Sequence, residues 1–122
     1  MIILTNIVIS LVAILHFYFM VLEMFFWTKP LGLKIFKNTK DKAEMTSVLA
    51  ANQGLYNGFL AMGLIMSQLF SSPTLRFSFQ VYFLACIVVA GIYGAYSVSR
   101  RIFFIQALPA IIGIILVISF TH

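Results

Sequence analysis

The chain has 122 residues, of which 62% are hydrophobic and 9% charged, with a net charge of +5. A soluble domain carries an apolar share nearer 45–50% with about 25% charged residues, so a water-soluble globule is excluded and the bilayer is the solvent this composition suits. The basic residues flank apolar runs, which is the placement of topology signals and headgroup contacts and speaks against nucleic acid as a partner.

A hydrocarbon core of ~30 Å takes about 20 helical residues at ~1.5 Å each. The expected architecture is an all-α, integral-membrane bundle of four transmembrane helices in a single domain, 1–122. Its spans fall at about 2–27, 42–70, 73–98 and 102–120. The first span is expected to be a retained anchor: no basic residue precedes it, and it closes on "FFWTKP", aromatics and a lysine instead of small residues. Pro30 disfavours helix at the residues just before it.

Residues 28–41 form the longest expected loop. Its "LGLKIFK" mixes Leu31, Leu33, Ile35 and Phe36 with Lys34 and Lys37, the pattern of a short segment lying in the interface. "DKAE" then reads as a helix start, with Asp41 as cap and Glu44 reaching back. "SSPT" is the next break, Ser72 capping and Pro73 taking the first helical position. "SRR" makes a tight turn into the last span, which Pro109 is expected to kink. Cys86, the one cysteine, allows no intrachain disulfide and reads as a packing residue.

Seven of the eight Lys and Arg residues fall in or beside the loops at 28–41 and 99–101, leaving Arg76 alone on the opposite side. By the positive-inside rule those two loops are cytoplasmic, both termini are external, and the location is a plasma (inner) membrane, multi-pass.

The polar residues inside the spans carry what chemistry there is. Counted from the basic side, Glu23 and Gln106 lie ~6 Å deep, Gln53 ~10 Å, and His16 and Asn57 ~16 Å. One layer would then hold Glu23, Asn52, Gln53 and Gln106, with His16 and Asn57 beneath it. His16 and Glu23 are two turns apart on one face; Gln53 with Asn57, and Asn52 with Tyr56, share faces at four-residue spacing. An unsatisfied amide or carboxyl in hydrocarbon costs several kcal/mol, which turns these faces inward. Ala50, Gly54 and Gly58 on the second span, and Gly91 and Gly94 on the third, are small enough for close helix packing.

The His and Glu of span one, the basic loop, "NQGLYNGFLA" at 52–61 and the "RR…Q.LPA" run from Arg100 to Ala110 together resemble the bacterial "domain of unknown function 1304" family. The resemblance spans essentially the whole chain. It implies a small four-span inner-membrane protein and carries over His16, Glu23, Asn52, Gln53, Gly54, Tyr56, Asn57 and Gly58. It implies no activity.

Two kinds of reading stand against each other at these residues. His16 and Glu23 form a proton relay or cation site, or each simply bonds an amide and fixes helix register. The amides are ligand contacts or structural glue, and Tyr56, Tyr93 and Tyr96 suit an aromatic belt. No metal and no cofactor is expected: catalytic zinc takes about three protein ligands, and His16 is the only intramembrane histidine, with His122 at the far end of the chain. The expected function is binding of an amphipathic or lipid-like small molecule in a polar intramembrane pocket open to the cytoplasm. His16, Glu23, Asn52, Gln53, Tyr56, Asn57 and Gln106 would line it, in a homo-oligomer surrounded by membrane lipids. Whether such a protein is an enzyme is left open. A proton-coupled exporter using Glu23, similar in size to the small multidrug resistance proteins, and a structural subunit of a membrane complex are the alternatives. Four-span glutathione and eicosanoid enzymes offer an analogy, but "NQGLYN" lacks the arginine-rich stretch and glutamate expected on their second helix.

Overall fold

The computed structural model describes residues 1–120, and among them there are helices and no strand. The elements are α1 (Ile2–Phe25), α2 (Pro30–Ile35), α3 (Lys40–Leu69), α4 (Pro73–Ser97), a π-helical turn (Phe103–Ala107) and α5 (Leu108–Phe120). Three segments are long and apolar enough to cross a membrane: Ile2–Phe25, Pro73–Ser97 and Phe103–Phe120. They point to a membrane protein. Helix α3 is the longest, 30 residues or about 45 Å, yet it is less apolar. Its charged first turns and its amides at 52, 53 and 57 dilute the run.

The chain divides into two compact units, Ile14–Ala61 and Met1–Ala13 with the chain from Met62 on. The first unit holds the second half of α1, all of α2 and the first part of α3. Pro30 opens α2, since a first-turn N–H has no helical partner to lose. A Cβ on Gly32 would run into the Phe26 carbonyl, so glycine is needed for α2 to fold back this tightly. Lys37 closes α2 in the left-handed region, φ 50°. The Asn38 N–H reaches the Leu33 carbonyl at 2.9 Å and the Lys37 N–H the Lys34 carbonyl at 3.4 Å, a Schellman-type ending. The Trp27 indole donates to Thr46 Oγ1 at 3.1 Å, and its ring packs on Phe36 with centroids 4.8 Å apart. The 28–41 segment is thus a folded bracket tied to α3.

The start of α3 differs from the sequence reading. Thr39, not Asp41, is the cap: its Oγ1 accepts the Lys42 N–H at 3.2 Å. Asp41 falls inside the first turn, where a carboxylate still suits the positive end of the helix. Two cap-forming residues stood two positions apart, and the helix took the earlier one.

In the second unit, Ser72 caps α4 by accepting the Leu75 N–H at 3.4 Å, and Pro73 follows at the first position. Helix α4 buries Gln80, Leu84, Ile87 and Gly91 along one stripe. Ala110, Gly113 and Val117 form the buried stripe of α5. The two helices meet closely: a Cβ on Gly113 would lie 3.2 Å from the Leu84 methyls, and one on Gly91 2.6 Å from the Ala107 nitrogen. The kink expected at Pro109 takes the form of the π turn just before it. A proline ring clashes with the carbonyl four residues back and donates no hydrogen bond. Widening the preceding turn removes the conflict, and the Leu108 N–H reaches back five residues to the Phe103 carbonyl.

Candidate functional site

In the Ile14–Ala61 unit the one acidic residue of α1 meets one amide of α3. Asn57 Nδ2 donates to Glu23 Oε1 at 2.8 Å, and both side chains are buried, 6% and 5% exposed. Among the described residues Glu23 makes no other hydrogen bond and no ion pair. An ionised carboxylate has about four lone-pair sites, so most of its accepting capacity is unspent. The sequence supplies the close approach. A Cβ on Gly54 would lie 2.8 Å from Met24 Cγ, 3.0 Å from Glu23 Cβ and 3.1 Å from the Met20 carbonyl oxygen. At Gly58 it would lie 2.7 Å from Met20 Sδ. Two glycines bracketing Asn57 let the short amide reach a carboxylate on the neighbouring helix.

His16, two turns before Glu23, is fully buried. Phe19 meets its ring edge-on, with centroids 5.6 Å apart. A buried imidazole, a carboxylate and an amide thus stand in one unit of 48 residues.

The other sequence-predicted residues fall elsewhere. Asn52, Gln53 and Tyr56 are exposed, and Tyr56 lies beside Phe59 with ring centroids 6.0 Å apart. The amide level with Glu23 is therefore Asn57, not Gln53. Gln106 lies in the π turn of the other unit, half-buried and hydrogen-bonded or otherwise engaged. Tyr93 and Tyr96 are 70% and 90% exposed. Against Gly94 a Cβ would meet the Ile102 side chain at 2.8 Å. His122 lies outside the described residues. Among those described, no group of three His, Cys, Asp or Glu side chains is placed to hold a metal.

The sequence reading passed over one polar group. In the other unit a cavity of about 270 Å³ is lined by Thr5, Asn6, Ser71, Arg76 and Gln80, with Phe120 at its side. The Arg76 Nη2 donates to the Phe70 carbonyl at 3.0 Å and the Gln68 carbonyl at 3.4 Å, tying down the end of α3. Gln68 in turn donates to Ser10 Oγ at 3.2 Å. The signal was in the sequence: Arg76 and Gln80 are four apart, so they share a face. A second, shallower depression runs along Ile3, Asn6, Ile7 and Ser10. Neither takes in Glu23.

Among the described residues, helices of this length and apolarity point to a helical membrane protein. The chain belongs to the DUF1304 family, described as a protein family of unknown function, whose profile matches residues 10–118. It is 36% identical over 117 residues to the uncharacterized protein YpaA of Lactococcus lactis subsp. lactis (strain IL1403), covering 94% of this chain and 97% of that relative. No solved structure matches.

Proposed function

We propose that this chain is a four-span plasma-membrane protein with external termini, and that the Glu23–Asn57 centre receives the polar head of an amphipathic or lipid-like small molecule from the basic-loop side. One observation carries the reading: a buried carboxylate whose single protein donor, among the described residues, is a neutral amide. Burying a charge without a full set of partners is costly, and a ligand ammonium or hydroxyl supplies the missing donors. Exposed Tyr56 and Phe59 then offer an apolar track for a tail, with Asn52 and Gln53 at headgroup level. In this reading α3 crosses the membrane with its last two-thirds, and copies of the chain associate as a homo-oligomer within the lipid.

The test uses octylamine and octanoate as probes, with thermal unfolding of the protein in mild detergent as readout. Octylamine raises the unfolding midpoint of the parent and leaves that of Glu23→Gln unmoved; octanoate moves neither. Equal responses from parent and variant defeat the reading. Proton-coupled export is the second reading, favoured by a carboxylate that no cation holds among the described residues. Amine-driven proton flux in liposomes, absent in Glu23→Gln, would select it.

A further inference from the structure

We infer a second, separate site: the cavity beside Arg76 and Gln80 binds a small oxyanion, a phosphate or carboxylate group. It rests on different residues from the Glu23 centre and stands or falls independently. Among the described residues the walls bring together one guanidinium, two amides and two hydroxyls, and no acidic residue lines the space. Two of the donors are unspent. Gln80 is 2% exposed and lines the cavity, yet its amide makes no hydrogen bond among the described residues. Arg76 Nε is buried and has no partner there either. Arg76 is anchored through Nη2 on two backbone carbonyls, so its charge is held in place before any ligand arrives.

An amide on the buried stripe of a helix that opens onto a cavity without a protein partner is costly to keep. Leucine would fill the same stripe of α4 at no such cost. The arrangement makes sense once acceptor oxygens enter: the guanidinium offers charge-assisted donors, and Gln80 and Asn6 offer amide N–H groups. The volume, about 270 Å³, leaves room for a headgroup-sized ligand. Phe120 and Ile2 give the space an apolar lip, which accommodates an oxyanion borne by a lipid as well as a free one.

The experiment measures the unfolding midpoint of the full chain under two comparisons. In mild detergent, inorganic phosphate is compared with chloride at matched ionic strength. In nanodiscs, phosphatidylglycerol is compared with phosphatidylcholine. Occupancy raises the midpoint by a few degrees. A rise with phosphate marks a site open to free oxyanions; a rise with phosphatidylglycerol alone marks a headgroup site. The decisive variant is Gln80→Leu, which keeps the bulk of the stripe and removes a partnerless amide. Its midpoint without ligand is equal to the parent's or higher, and the ligand-induced rise is lost. Arg76→Lys keeps the charge but not the forked geometry and retains a reduced rise. A parent that responds to neither comparison overturns the inference. So does a Gln80→Leu variant that responds in full.

Discussion

Asn57 is where the proposed site and the protein's stability meet. Replacing it with leucine deprives a buried carboxylate of the one donor it has among the described residues, at a cost of about 1–3 kcal/mol and more for a charged group. Replacing both partners, as Glu23→Leu with Asn57→Leu, removes the polar burden altogether. The double variant therefore recovers most of what Asn57→Leu loses, measured by unfolding in mixed micelles of rising denaturing-detergent content. If the two losses simply add, the pair is not coupled as its 2.8 Å bond requires. Glu23 and Asn57 were legible as polar residues in apolar surroundings. Their pairing was not, because it depends on how far α3 slides along α1, and residue types do not encode that offset. Arg76 was legible as a basic residue set apart from the others; its local role was not, because that depends on its position against Phe70 and Gln80.

The close contact of α1 with α3 rests on two glycines of unequal importance. At Gly54 an added methyl meets the Met20 backbone carbonyl, which cannot move without the helix. At Gly58 it meets only the thioether end of Met20, a side chain that rotates readily. Gly54→Ala is therefore expected to destabilise by about 1–3 kcal/mol, the range for overpacking. Gly58→Ala falls well below it, and the same micelle titration ranks the two. Equal losses would mean that backbone proximity does not set the contact. The sequence pattern of small residues at four-residue spacing announced that some contact exists. It did not announce which glycine faces backbone and which faces a flexible side chain. The π turn was hidden likewise: Pro109 signals disruption, but whether a helix kinks or widens depends on the packing around it.

For the whole chain, composition alone indicated a helical membrane protein, because apolar runs of this length have few other solvents. The proposed orientation rests on where the lysines and arginines lie, and it can be read directly on cells. In a Cys86→Ser background, Ser71→Cys is expected to react with a membrane-impermeant maleimide on intact bacteria. Ser99→Cys is expected to react only after permeabilisation. The reverse pattern would invert the proposed topology and move the Glu23 centre to the outer face.

Helix α3 is half again as long as a bilayer's oily layer is thick, about 45 Å against ~30 Å. A helix cut to size has one resting depth; an oversized one can ride up or down with little change in what its greasy part touches. In the proposed four-span arrangement, lipid thickness therefore gives α3 no natural stop. Two side-chain fastenings, Trp27 to Thr46 and Glu23 to Asn57, sit about three turns apart along it. Acting together, they are the notches that hold this helix at one height.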